Sequence, residues 1–318
     1  MLRRGFAHLR RYGIGSLIRH STNAPMRYLD QKSSLARTKG RFLRRTLSLR
    51  RGKPHLDPRP NPDLVVSLTS FPARIATVWA TVETLLRQTR LPDAIILVLS
   101  LEEFPSRRLP RSLRSLERRG MTIMWVEENI GSFKKLIPAR HAYPAATIVT
   151  VDDDFLYAPD MLERLVEVSL TRPGWIVGHR GWDPEMDEDS YTPYYDWMKA
   201  RRRGGPHSDP NEVLLTTGGG TLFPANTPPD WLLLDLNLIR ELSPSCDDIW
   251  SWGVAKATGV KRYCTGADFG TTNGLEELSD SLMKRNKRTH GSRTLKDVQI
   301  SAVVDRLPAL VEQRKPTG

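Results

Sequence analysis

Cysteine is nearly absent from the chain: two residues in 318, Cys246 and Cys264. They make no CxxC pair and no zinc-ligand pattern, which points to a reducing compartment. Long apolar runs are missing as well; no stretch approaches the ~18–20 residues that a membrane-spanning helix needs. There is no internal repeat, and the only compositionally biased segment is a basic arm at the N-terminus. The body of the chain has almost no net charge. Residues 1–60 hold 16 Lys+Arg against Asp30 and Asp57, while the other 258 residues hold 32 Lys+Arg against 34 Asp+Glu. The overall excess of +12 therefore belongs to the arm. Nucleic acid is not the expected partner, because the arm has few aromatics for stacking and the body offers no basic companion patch.

In the arm, Leu2, Phe6, Leu9, Gly13 and Leu17 fall on roughly one helical face, with arginines elsewhere. Such a face suits an anionic membrane surface. Gly5, Gly13 and Gly15 weaken the helix, and YGIGSLI is short for a signal peptide. A membrane-surface helix and a basic, partly disordered arm fit this composition about equally. Pro-rich KPHLDPRPNPD (53–63) then reads as a linker. The expected organisation is an arm and linker over 1–60 and one α/β domain over 61–318.

What the body does have is a regular alternation. With 39% hydrophobic residues and eight Trp it can build a sizeable core. LVVSLTS (64–70) predicts a buried strand. Ile75, Val78, Trp79, Val82, Leu85 and Leu86 recur at helical spacing up to a stop near Pro92. AIILVLSL (94–101), MTIMWVEE (121–128) and ATIVTV (146–151) predict three further strands, with a helix over Phe133 to Ala142 before the last. This order argues a mainly parallel sheet with helices on its faces. Beyond residue 160 a helix is expected at Met161–Leu170 and a strand at 175–179. Residues 181–210 are loop-like, and VLLTTGGGTLF (213–223) predicts a strand bent around three glycines. CDDIWSWGVAKATGV (246–260) predicts a helix that starts on two aspartates.

The chemistry is expected where carboxylates meet strand ends. TIVTVDDDFLYAP (147–159) puts Asp152, Asp153 and Asp154 directly after a β-branched run, and open α/β sheets bind ligands outside the carboxyl ends of their strands. Hard oxygens there suit Mg²⁺ or Mn²⁺ held against a diphosphate. The bland alternative is an acidic turn leading into the helix that carries Asp160 and Glu163. Asp187-Glu188-Asp189 has no strand before it and reads as a solvated loop. Gly218, Gly219 and Gly220 let a backbone approach a bulky group closely. Asp247 and Asp248 are either helix-start carboxylates or a candidate base separate from the metal ligands. Arg74, Lys134 and Lys135 are candidate phosphate or nucleotide contacts, although exposure is the commoner fate of a basic residue.

VVSLTSFPARI, SFKKLIPA, VTVDDDFLYAPDML, TGGGTLFPA and CDDIWSWGVAKATG, in that order, resemble a bacterial family of GT-A glycosyltransferases. The combination VDDDFLYAPDML…WIVGHR…CDDI is also similar to the exostosin-type transferase domain. The resemblance covers about residues 64–300 and leaves out the arm. It implies a GT-A (Rossmann-like) fold, a nucleotide-sugar donor, a divalent metal (Mn or Mg) and transfer to a hydroxyl of a glycan or lipid-linked glycan. It implies Asp152 and Asp154 as metal ligands, with Asp152 and Asp153 also reaching the nucleotide. Thr69, Ser70, Arg74, Lys134, Lys135 and the Gly218–Gly220 loop would line the nucleotide-sugar site. Asp248 would be the catalytic carboxylate, with Asp247 as its neighbour. His290, Arg288 and Arg293 are weaker candidates for a diphosphate contact. Tyr191, Tyr194, Tyr195 and Trp197 are candidates to stack on an acceptor, against packing as the commoner role.

The Q-x-x-R-W-type acceptor motif of common inverting GT-A enzymes is absent, so the acceptor has no sequence signal. A nucleotidyltransferase would also hold Mg²⁺ with carboxylates, but its glycine- and Arg/Lys-rich signature loop is missing after the first strand. A non-catalytic glycan-binding or membrane-surface module of the same fold remains open. Bacterial cell-surface polysaccharide synthesis in the cytoplasm, peripheral on the inner face of the membrane, is the setting expected on family grounds.

Overall fold

The computed structural model describes residues 55–57, 59–188, 190–272 and 293–314, with the backbone alone at 289–290. The basic arm, Asp189 and Arg288 lie outside the described residues, as does the side chain of His290.

The four β-branched runs form the centre of the molecule. Strands β1 (Leu64–Thr69), β2 (Ala94–Ser100), β3 (Met121–Val126) and β4 (Thr147–Val151) pair in parallel as β4-β1-β2-β3. β1 and β2 are buried along nearly their whole length, which is why both read as unbroken apolar runs rather than alternating ones. Strands β5 (Ile176–Gly178), β6 (Gly219–Phe223) and β7 (Arg262–Cys264) extend the sheet to seven, in the order β7-β5-β6-β4-β1-β2-β3. Only β6 is reversed, antiparallel to both β4 and β5, while β7 returns parallel to β5. The mixed, mainly parallel sheet with flanking helices expected from the sequence is therefore present.

The reversal of β6 positions the site. The carboxyl ends of β1, β4 and β5 face one edge of the sheet, and β6 starts at that same edge, with Gly219 opposite Val151. Behind it, helix Asp247–Ala257 lies against the C-terminal helix Leu295–Gln313. Trp250 and Trp252 are fully buried there, as is Trp197, which stands with Tyr194 in the same core. Both cysteines are buried and unpaired.

Three local expectations differ from the structure. The helix read from Ile75 starts at Trp79, because Phe71 carbonyl accepts the amides of Arg74 and Ile75 and turns the chain first. The helix read from Phe133 to Ala142 is broken into a 3₁₀ turn, Gly131–Lys135, and an α-helix, Ile137–Ala142. Pro138, in the first turn of the second piece, has no N–H to continue a helix from the first. Residues 181–210 are not all loop: a hairpin pairs Met186–Asp187 with Ser190–Tyr191, and a helix spans Tyr194–Lys199. Asp187 and Glu188 are exposed in that hairpin, Glu188 at φ +51° in its turn, which fits the solvated reading.

Candidate active site

The three aspartates after β4 face different ways. Asp153 turns inward and is 5% exposed. Its Oδ2 accepts Ser70 Oγ–H at 2.5 Å, and its Oδ1 accepts Arg74 Nη1–H at 2.8 Å. Burial pushes its carboxyl up to about 6, against the pull of Arg74. Arg74 Nη1 also lies 2.8 Å from Asp154 Oδ2, so the turn after β1 clasps two of the three carboxylates. The Thr81 hydroxyl, 2.9 and 2.7 Å from the carbonyls of Asp153 and Phe155, ties helix Trp79–Leu85 to the same turn.

Asp152 faces the other tier of the site. Its Oδ1 accepts Lys135 Nζ–H at 2.8 Å, and Lys135 Nζ is 3.1 Å from Asp247 Oδ2. Lys135 thus joins the strand-end carboxylates to those of helix Asp247–Ala257. Its side chain is 5% exposed. Burial favours the neutral amine, but the charges of Asp152, Asp247 and Asp248 override it and raise its pKa above the ordinary lysine value.

Thr217 completes the link. Its hydroxyl is 2.6 Å from Asp247 Oδ2 and 2.8 Å from Asp248 Oδ1, and its amide donates to Asp248 Oδ1 at 2.7 Å. The two neighbouring carboxylates are split in character. Burial opposes ionisation of Asp247, but Lys135 and hydrogen bonds from Ser132 and Thr217 outweigh it and lower its pKa. Asp248 moves the other way, raised by burial and then by the charge of Asp247, with Lys296 and Lys135 opposing. One carboxylate is anchored as an anion and its neighbour is the more basic, a pairing suited to proton transfer.

The glycines serve the carboxylates first. A Cβ on Gly218 would stand 1.7 Å from Asp152 Oδ2, and one on Gly219 would stand 2.7 Å from Arg180 Cβ. Gly220 has φ +86°, a conformation side chains rarely adopt. Tyr157 locks the approach: its hydroxyl donates to Gly218 carbonyl at 2.6 Å and accepts the Asp152 amide at 2.8 Å. Gly218→Ala is therefore expected to displace Asp152 and cost about 1–3 kcal/mol, the usual range for overpacking. The check is a lowered urea midpoint; an unchanged one would mean that Asp152 is not held where it stands.

Of the residues expected here, Ser70, Arg74, Lys135, Asp152, Asp153, Asp154, Gly218, Gly219, Asp247 and Asp248 share this edge. Two turn elsewhere. The 3₁₀ turn moves each residue by about 120°, and Lys134, beside Lys135, points away to Glu103, itself bonded to Ser100 Oγ. The Thr69 hydroxyl donates to Val98 carbonyl at 2.8 Å. Tyr194 and Trp197 are core residues, and Tyr191 donates to Glu212. Arg293 is exposed, 3.4 Å from Ser301 Oγ. Thr217, Tyr157, Ser132, Arg180 and Lys296 were not singled out from sequence. Thr217 stood beside the glycine triplet, and its hydroxyl is the one signal that could have been read.

Among the described residues, no group of three or more His, Cys, Asp or Glu side chains is placed to hold a metal ion. The carboxylates of Asp152 and Asp154, 33% and 14% exposed, suit a hard cation that takes one or two protein oxygens and fills its shell with phosphate and water, as Mg²⁺ and Mn²⁺ do.

No protein-family model matches the chain, and no curated protein does. Solved structures do match. One is the mannosyltransferase PcManGT from Pyrobaculum calidifontis in complex with GDP-Man and Mn²⁺: 16% identity over 74% of this chain, TM-score 0.37. Another is S. aureus TarS 1-349 in complex with UDP: 11% identity over 66% of this chain, TM-score 0.43. The matches cover 64% and 60% of those two chains, less than two thirds of either. Likenesses this distant assign no residue and no substrate; the functional reading rests on the site.

Proposed function

We propose that the protein is a metal-dependent glycosyltransferase that moves a sugar from a nucleotide-sugar donor to a hydroxyl acceptor. The observation that carries this is the joining of two carboxylate tiers through Lys135, which stands 2.8 Å from Asp152 and 3.1 Å from Asp247. The strand-end tier is suited to hold a donor and the helix tier to act on an acceptor.

Asp154 and Asp152 would hold the cation, which when bound would supply charge neutralisation for a departing diphosphate. Asp153 acts behind them, fixing Arg74 through its inward carboxylate. Ser70 holds Asp153 through its hydroxyl. Asp248 takes the acceptor proton in an inverting reaction, or stabilises an oxocarbenium-like state in a retaining one. Thr217 keeps Asp248 in place, Lys135 holds Asp247 as the anion, and burial with the charge of Asp247 makes Asp248 the more basic of the two.

The donor tier is tested by nucleotide binding. Calorimetry with UDP and GDP is expected to show binding that strengthens when Mn²⁺ or Mg²⁺ is added and weakens again with chelator. In Asp154→Ala this metal dependence disappears. Metal-independent binding in the unaltered protein, or full metal dependence in Asp154→Ala, would count against the assignment.

Cell-surface glycan synthesis at the inner face of a membrane is the setting we propose, with the basic arm as the contact to anionic lipid. No helix among the described residues is long and apolar enough to cross a membrane.

A further inference from the structure

Among the described residues, Arg74, Lys135 and Arg180 are cations at the functional edge of the sheet, and their pairing differs. Arg74 and Lys135 each hold two carboxylates. Arg180, which follows β5 and His179, makes no ion pair among the described residues. Its position is nevertheless fixed. Nε donates to Thr216 Oγ1 at 2.5 Å, and its carbonyl accepts the Thr216 amide at 2.9 Å. The guanidinium lies over two rings, with Cζ 5.4 Å from the centroids of both Phe155 and Phe269. Phe155 directly follows Asp154, and Thr216 directly precedes the residue that holds Asp247 and Asp248. Gly219 lies against the Arg180 Cβ, so the glycine triplet also makes room for this side chain.

A guanidinium presents five N–H donors in a planar fork. Here Nε is used, the ring contacts restrict the plane, and neither Nη group donates to protein among the described residues. Arginine held by stacking, with its terminal edge free, suits bidentate recognition of a phosphate or carboxylate. We infer that Arg180 is an anion-binding residue of the site, and that the group it takes is a phosphate or carboxylate of a substrate. The inference rests on the nucleotide-sugar reading for what carries that anion. The donor diphosphate and an anionic acceptor are the two sources.

The test uses the full chain and two variants, Arg180→Gln and Arg180→Lys, each first checked by thermal melting against the unaltered protein. Calorimetry measures binding of UDP and GDP, of uridine and guanosine, and of inorganic phosphate to the free and nucleotide-loaded protein. If the anion is the donor's, Arg180→Gln weakens diphosphate binding roughly tenfold or more while nucleoside binding is unchanged, as expected for loss of a bidentate charged contact. Arg180→Lys, which keeps charge without the fork, recovers part of that loss. If the anion is the acceptor's, diphosphate binding is unchanged, and nucleotide-loaded protein binds inorganic phosphate in the unaltered form but not in Arg180→Gln. Diphosphate and phosphate binding both unchanged in a folded Arg180→Gln, or no phosphate or diphosphate binding by the unaltered protein, would overturn the inference. Should the unaltered protein bind phosphate through Arg180 but no nucleotide, the donor reading fails and the anion site stands.

Discussion

Asp248→Asn is expected to lower kcat by about 10²–10⁴-fold, the range for removing a general base, while nucleotide binding stays unchanged. Asparagine keeps the shape of the side chain, and its carbonyl oxygen can still accept the Thr217 amide that now reaches Asp248 Oδ1 at 2.7 Å. What it cannot do is take a proton. The effect belongs to kcat because Asp248 stands on the helix tier, separated from the strand-end carboxylates by Lys135 and Thr217. The pH profile gives a second reading of the same claim. Burial and then the charge of Asp247 raise the Asp248 pKa. A base must be deprotonated to act, so the rate falls as pH drops through that raised value. The acid limb of kcat is therefore expected above the ordinary carboxylate range. A loss confined to KM in Asp248→Asn, or an acid limb at the ordinary Asp value, would remove Asp248 from this role.

Lys135→Met is expected to be the most destabilising single change at the site. Its cation is buried between Asp152 and Asp247 and near Asp248. Methionine fills similar length but leaves three carboxylates facing one another. Removing one partner of a buried ion pair costs about 3–5 kcal/mol, because the remaining charge is uncompensated. The sign of the pH dependence follows. In the unaltered protein the Asp247 pKa is depressed, so its contribution to stability is present at neutral pH and is lost as pH falls through its folded value. Without Lys135 the same carboxyl is raised by burial, which destabilises the fold above that raised value and is relieved on acidification. The gap in urea midpoint between the two proteins is therefore expected to be widest near neutral pH and to shrink towards acid. A gap independent of pH would mean that Lys135 contributes by packing alone.

Much of this arrangement could be read from the sequence because it is written in local chemistry. The four β-branched runs became β1 to β4, and the strand-end aspartates and helix-start aspartates came together at one edge, as a carboxyl-edge site requires. What sequence did not give was direction. Three consecutive aspartates look equivalent, yet the turn that follows β4 sends Asp153 into the protein and leaves Asp152 and Asp154 partly exposed. Two consecutive lysines look equivalent too, until a 3₁₀ turn sends Lys134 to Glu103 and Lys135 to the site. The glycine triplet read as room for a ligand; its first need is room for Asp152 and Arg180. Thr217, Tyr157, Arg180 and Lys296 were silent because a hydroxyl, a phenol or a lone cation acquires a role only from what the fold sets beside it.

The central claim is that this edge transfers a sugar from a nucleotide-sugar. The most direct measurement is release of nucleoside diphosphate from a panel of UDP- and GDP-sugars with Mn²⁺ or Mg²⁺, for the unaltered protein and for Asp154→Ala and Asp248→Ala. The account predicts metal-dependent release from at least one donor, abolished by either substitution. No release from any donor, or release that survives both substitutions, would contradict it.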